Sequence, residues 1–302
     1  MFASIKDIKN RKFTIYGVML PAVIWLVLFL ILPYVNLFIY SFWKNGPFTV
    51  IHEFNFQNYV KFFTVSKTGG APYLILLNTI KLSLWVTLFT FIVSFPLAYF
   101  IRFYVKKYKQ QLYMLVIIPL WVSYVMRAYS WKIILGTNGI LNSFLMATQL
   151  AENPVSFFLY SKVSVIIAMT HIYTPFVLMP IYTALEQLPE TLIEASNDLG
   201  AKPVRTFCKV IFPLSLPGII TGATYAFVLS MGDFLAPSLL GGPTSSTQIA
   251  NIVQMQFGTS NNWPYGAAIG IIILIMVIGL LVITELLQKR LVHSAGGSNG
   301  IR

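Results

Sequence analysis

Six long apolar runs, separated by polar segments, organise this chain. They cover roughly 16–42, 73–103, 112–135, 162–182, 213–240 and 265–287. A helix needs about 20 apolar residues to cross the hydrocarbon core of a bilayer, so the pattern predicts six transmembrane helices. Between the runs, Gly, Pro, Asn and Ser cluster as they do in loops: KNGPF near 46, KTGGAP near 69, GTNG near 137 and GGPTSST near 242. Two polar segments, 43–72 and 241–264, are long, and their aromatics (Trp43, Phe48, Phe54, Phe56, Tyr59, Trp263) predict partly ordered caps. Pro33 predicts a kink in the first span and Pro175 and Pro180 bends in the fourth, since each proline removes a backbone donor. The first run is far longer than the core of a signal peptide and lacks a clear small-residue cleavage site, which predicts a retained span.

Composition sharpens this picture. The chain is 57% hydrophobic and 10% charged, with a mean hydropathy of +0.74, whereas soluble domains carry about 25% charged residues. An integral membrane protein follows. A net charge of +12 raises the question of nucleic acid, but the cations lie between apolar runs, not on a folded patch, so no nucleic-acid partner is expected. Their distribution sets topology instead. With the N-terminus inside, fourteen Lys and Arg fall on inner segments: four between Lys6 and Lys12, four between Arg102 and Lys109, then Lys202, Arg205 and Lys209, then Lys289, Arg290 and Arg302. The outer loops hold Lys44, Lys61 and Lys67, with Lys162 at a boundary. The positive-inside bias repeats at every loop and predicts cytoplasmic termini. The single cysteine, Cys208, excludes an intramolecular disulfide.

The longest inner loop, Thr183 to Phe212, carries helical patterning of its own. Leu188, Leu192, Ala195 and Leu199 share one stripe and Glu186, Glu190, Glu194 and Asp198 another. The acidic stripe places like charges at i,i+4, which mildly destabilises an isolated helix, so it is expected to face water or a positive surface. Pro189 suits a first helical turn, Gly200 a left-handed helix end, and Pro203 the start of a second, basic helix leading to Pro213. The predicted element, about 186–213, is helix, glycine turn, helix.

The stretch EASNDLGAKPVRTFCKVIFPL resembles the EAA signature of bacterial ATP-binding-cassette importer permeases: Glu-Ala-Ala, three residues, Gly, nine residues, Ile, one residue, Leu-Pro. Glu194, Ala195, Gly200 and Pro213 match; Ser196, Val210 and Phe212 replace Ala, Ile and Leu. The resemblance implies an all-α integral membrane protein with the type I (MetI-like) permease fold, residues 1–302 forming one permease domain. It implies that Glu194, Ala195, Ser196 and Gly200 belong to a cytoplasmic coupling helix docked on an ATPase. MGDFLAPSLLGGP (231–243) and NNWPYGAAIG (261–270) look further like the polyamine branch, the spermidine/putrescine permeases of the first-subunit kind. Implied partners are a related second permease, a dimer of ATPase subunits, an extracellular solute-binding protein and membrane lipid. Implied location is the bacterial cell membrane. Permeases for other small organic solutes or metal ions share similar stretches.

Ionisable groups inside the runs are the remaining candidates, because charge in hydrocarbon costs a few kcal/mol or more. Asp233 falls near the outer end of the fifth run, about 28 Å from Leu214. Two roles are open to it. It can meet an incoming cation, helped by Tyr225, Phe234 and Trp263 through cation–π attraction, or it can pair with Lys81, Arg127 or Lys132. Those three cations oppose a cationic pathway unless they face elsewhere. Tyr173 follows His171 in the fourth run and joins the candidate pathway, whereas a lone histidine is more often hydrogen-bonded to a neighbouring helix. Asn78, Thr79, Ser83 and Thr87 form a polar strip that lines a pathway or joins helices. Glu285 is expected at the inner interface. No GxxxxGK[ST] loop occurs, so ATP and Mg are expected on partner subunits, with no cofactor, metal or catalytic residue in this chain. A self-sufficient secondary transporter is the competing class, and it would carry more intramembrane carboxylates; a membrane-embedded enzyme lacks a constellation.

Overall fold

The computed structural model describes residues 18–46, 49–64, 71–155, 158–242 and 246–296. The N-terminal basic cluster, Phe48, Lys67 and Arg302 lie outside them. The described residues belong to two compact units, one drawn from 1–64 with 255–274, the other from 65–254 with 275–302.

In the first unit, α1 (Val18–Tyr40) has none of its apolar window buried within the chain. It widens into a π turn at Val27–Ile31. Pro33 follows, and its ring would meet the carbonyl four residues back while offering no N–H, so a wider turn accommodates it. Beyond α1, β1 (Lys44–Asn45) pairs antiparallel with β2 (Val50–Ile51), and α2 (Gln57–Phe63) follows. Phe42 anchors this cap, stacked on Phe54 at 4.8 Å and edge-on to Phe56 at 5.4 Å. Asn58 Nδ2 closes it by donating to the carbonyls of Ser41 and Trp43 at 2.9 and 2.8 Å. Trp43, Phe54, Phe56 and Tyr59, with Phe42, thus form an ordered cap in the segment where their clustering predicts one.

The second unit holds α3 (Pro72–Phe103), α4 (Lys109–Trp121), α5 (Tyr124–Leu135), α6 (Ile140–Ala147), α7 (Lys162–Glu186), α8 (Glu190–Asp198), α9 (Pro203–Met231) and α10 (Leu235–Leu240). α11 (Ile249–Phe257) and α12 (Trp263–Gly296) complete the described residues. Five described helices are long and apolar enough to span a membrane, or six if one bent pair is counted as a span.

Two boundaries differ from the pattern. The run at 112–135 is not one rod: Lys109–Trp121 and Tyr124–Ala147 meet at 94°. Pro119 cannot donate to the helix, and Val122 and Ser123 both leave the helical region, with ψ of 135°. The fifth run, expected at 213–240, begins at Pro203 and ends at Met231. α9 passes from the loop into the span through a π turn at Phe207–Ile211, ahead of Pro213, repeating the arrangement at Pro33. It stops because Gly232 and Asp233 offer the chain a local turn (see below).

α3, α7 and α9 form the core of this unit. One buried cluster joins Phe95, Ala98 and Ile101 of α3 to Val177, Ile181 and Leu185 of α7 with Ile219 of α9. A second joins Leu82 and Val86 of α3 to Met169 and Ile172 of α7, Ala128 of α5 and Leu240 of α10. In lipid such contacts act through close packing, so small residues matter at the crossings. A Cβ on Gly218 of α9 would lie 2.5 Å from both the Pro180 carbonyl oxygen and the Ala184 Cβ of α7. Gly218→Val should therefore push α9 off α7 and destabilise the bundle by about 1–3 kcal/mol. A melting temperature in detergent equal to wild type would show that the two helices do not approach this closely.

Candidate functional site

Two constellations stand at opposite ends of α9. At its N-terminal end, α8 leads into a turn at Gly200, whose φ of +74° is the left-handed value expected there. Gly200 N–H donates to Asn197 O at 2.8 Å and Ala201 N–H to Ser196 O at 3.1 Å. Pro203 opens α9 as predicted, while Pro189 stands one residue before α8, at the cap. Ser196 and Thr206 hydroxyls share a hydrogen bond of 2.9 Å, tying α8 to the start of α9.

The apolar stripe of α8 is only partly covered. Leu188 is buried, and Ile193, not on the expected stripe, packs on the core. Leu192 is 45% and Leu199 88% exposed. With Ala195, Ser196, Arg205 and Lys209 these line an open groove of about 410 Å³. An exposed apolar edge beside basic residues is a surface that fits a partner. The acidic stripe meets the chain's own cations at its first two members. Arg102 of α3 donates from Nε to Leu185 O at 3.2 Å and from both Nη atoms to Glu190 Oε1 at 3.1 Å. Lys109 lies 3.5 Å from Glu186, which also accepts from Tyr182 OH at 3.1 Å. Glu194 and Asp198 remain exposed. Glu190 is 71% exposed, so its ion pair with Arg102 contributes only about 1 kcal/mol. Arg102→Ala should still loosen α8, seen as faster amide exchange over 190–200 with the helical core unchanged. Unaltered exchange there would remove Arg102 as the anchor.

At the other end, Asp233 is 7% exposed and pairs with none of Lys81, Arg127 or Lys132, which corrects the ion-pair reading. Its Oδ1 accepts the N–H groups of Leu235 at 2.9 Å and Ala236 at 3.2 Å, holding the first turn of α10. Its Oδ2 accepts from Tyr173 OH at 2.7 Å and from Tyr124 OH. Local hydrogen bonds and phenols replace the expected cation. Tyr124, Arg127, Tyr173, Gly232, Asp233 and Phe234 help line a groove of about 480 Å³. Arg127 Nη1 donates to Ile172 O at 3.3 Å, so its charge faces the same groove. Tyr225 is half-exposed on α9 and does not line this groove. Trp263 belongs to the other unit, where its indole N–H donates to Asn261 Oδ1 at 2.9 Å.

Tyr124 was not legible as a site residue, because its role depends on the break at Val122–Ser123. His171 Nδ1 accepts from Trp131 Nε1 at 3.2 Å, the structural role expected of a lone histidine. In the polar strip, Thr79 is buried and its hydroxyl oxygen accepts Ile249 N–H at 2.9 Å, so this member joins elements. Glu285 is exposed and pairs with Lys289 at 2.6 Å.

The model of the family described as "Binding-protein-dependent transport system inner membrane component" matches residues 91–294. The spermidine/putrescine transport system permease protein PotB of Escherichia coli (strain K12) is 33% identical over 270 residues, 89% of this chain and 95% of the relative. The inner membrane ABC transporter permease protein YdcU of the same strain is 34% identical over 221 residues, 68% of this chain and 69% of that one. Among solved structures, a chain of a bacterial alginate ABC transporter superposes with a TM-score of 0.75 at 22% identity, covering 94% of this chain and 96% of its own. A chain of the MetNI methionine ABC transporter gives 0.54 at 18%, covering 74% and 99%. At such identities these two speak for the fold alone.

Proposed function

Because the chain belongs to the family of binding-protein-dependent transport system inner membrane components, we propose that its solute is a polyamine, spermidine or putrescine. It is a permease subunit of an ATP-binding-cassette importer. The observation that carries the choice of solute is the 33% identity to a spermidine/putrescine permease across 89% of the chain. The Asp233 groove supports it: a carboxylate flanked by two phenols and Phe234 offers a protonated amine both charge and aromatic faces.

In this reading the Gly200 turn lies on the cytoplasmic side, both termini are cytoplasmic, and Glu194, Ala195, Ser196 and Gly200 dock on an ATPase subunit that binds ATP and Mg. A related second permease supplies the other half of the pathway, and an extracellular binding protein delivers the solute to the aromatic cap. Asp233, Tyr173 and Phe234 form the cation-facing wall, with Tyr225 and Trp263 as further pathway candidates. Arg127 in the same groove favours a second reading, a solute that also carries negative charge. Uptake of labelled spermidine, putrescine, amino acids and organic anions, in cells lacking their own carriers and expressing this chain with its neighbouring subunits, separates the two. Uptake of anions but neither polyamine would reject the first reading, and uptake by this chain without any ATPase would reject the importer.

A further inference from the structure

Two cavities on the larger unit adjoin between α3 and α7. The upper one, about 170 Å³, is lined by Asn78, Lys81 and Trp85 of α3, Lys162 and Ile166 of α7, and Gln248 just before α11. The lower one, about 490 Å³, exposes apolar surface, from Phe89 and Val93 of α3, Trp131 of α5 and Ile166 and Ile167 of α7 among others, with Thr170, His171 and Thr174 also in its wall. Ile166 lines both, and the Trp85 and Phe89 rings stack at 5.8 Å across the junction.

The register of the two helices makes this one continuous feature. On α3 the wall falls at residues 81, 85, 89 and 93, and on α7 at 162, 166, 170 and 174, so each helix contributes one face. Twelve residues of helix span about 18 Å, close to half of a hydrocarbon core about 30 Å thick. Ser94 Oγ donates to Thr174 O at 3.2 Å, closing α3 on α7 at the far end. The feature therefore has the length of one leaflet, a basic polar head and an apolar shaft.

The head is chemically incomplete. Among the described residues Lys81 and Lys162 are the charged ones lining it, and Lys162 is the first residue of α7, whose positive end adds to the field. Gln248 is 1% exposed, yet both its Nε2 and Oε1 lack a hydrogen-bond partner among the described residues. A buried amide left in this way is costly, and it offers N–H donors and a carbonyl acceptor to whatever enters. Two ammonium groups beside an unpaired amide match a phosphate that carries hydroxyl groups.

We propose that this composite site holds one anionic phospholipid with a glycerol headgroup, in the leaflet at the N-terminal end of α7. Its phosphate lies between Lys81 and Lys162 and accepts from Gln248 Nε2. A headgroup hydroxyl donates to Gln248 Oε1, and one acyl chain follows the shaft past Ile166 and Ile167. Basic pockets between membrane helices recognise lipid phosphates in the same way.

The test uses the full chain with its co-expressed subunits, delipidated and titrated with phosphatidylglycerol or chain-matched phosphatidylcholine, and native mass spectrometry as the readout. Wild type should retain one phosphatidylglycerol in preference to phosphatidylcholine. The double variant Lys81→Gln/Lys162→Gln should weaken retention about thirtyfold, Lys81→Arg/Lys162→Arg should keep it, and Lys132→Gln, outside both cavities, should not change it. Ile167→Trp fills the shaft without touching charge and should lower retention as well, which decides the matter if the double glutamine variant fails to fold. Equal retention of the two lipids, or unchanged retention in both the glutamine and tryptophan variants, would overturn the proposal. So would displacement by excess inorganic phosphate, which marks a site for a free anion. Disulfide trapping of Ile167→Cys to a neighbouring subunit would also overturn it, because the shaft would then hold protein.

Discussion

Asp233→Asn should leave the chain inserted and assembled while lowering polyamine uptake about tenfold or more. The expectation rests on what each carboxylate oxygen does. Oδ1 holds the N–H groups of Leu235 and Ala236, and asparagine keeps that oxygen and is as good a cap as aspartate. The turn between α9 and α10 therefore survives. The negative charge, which in the proposed reading draws an ammonium toward Tyr124 and Tyr173, does not survive. Asp233→Ala removes both functions, so it should lose about 1 kcal/mol of stability as well. Uptake and melting temperature, measured together on the two variants, separate the roles. Wild-type uptake by the asparagine variant would confine Asp233 to holding the turn, and failure of that variant to assemble would show that the charge itself is structural.

The second large effect is expected at Gly200. Proline needs φ near −65° where the chain has +74°, and it would delete the N–H that reaches Asn197 O. Gly200→Pro should therefore displace α8 and abolish ATP-driven uptake. Gly200→Ala should act far more weakly, since a Cβ there meets nothing within 4 Å and the left-handed backbone costs about 1–2 kcal/mol. Glu194→Lys is the complementary variant. Glu194 is exposed, and surface changes of this kind alter stability by only about 0.5 kcal/mol. Loss of uptake with unchanged melting would then report a broken contact with an ATPase subunit. Solute-stimulated ATP hydrolysis in proteoliposomes is the direct measure, and wild-type stimulation in both Glu194→Lys and Gly200→Pro would sink the docking role.

The membrane helices were legible because a bilayer imposes length and hydrophobicity on them, so five of the six runs appear as single long helices near their expected positions. The loop element was legible for a different reason. Gly200 and Pro203 each have a backbone preference that suits a helix end and a helix start, and the structure uses both. The breaks were harder to see. Val122 and Ser123 are ordinary residues for a helix interior, and the 94° turn there depends on Pro119 and on packing that no local pattern records. At Asp233 the sequence revealed the cost of a buried charge but not its remedy. Local backbone donors and two phenols from distant helices satisfy it, and one of them, Tyr124, reaches it only because of that turn. Leu192 and Leu199 illustrate the converse limit: spacing places apolar residues on one face but cannot say whether that face is covered by the chain itself.

The unbroken course of α9 from Pro203 to Met231 has a mechanical consequence. Twenty-nine residues at 1.5 Å make a strut about 43 Å long, with the Gly200 turn at one end and Gly232 and Asp233 at the other. Pivoting such a strut by about 5° sweeps its far tip through about 4 Å, more than the reach of a hydrogen bond. A small rocking of the loop end is thus geometrically magnified where the carboxylate sits. The π turn at Phe207–Ile211 is the joint at which that leverage would be lost if it softened.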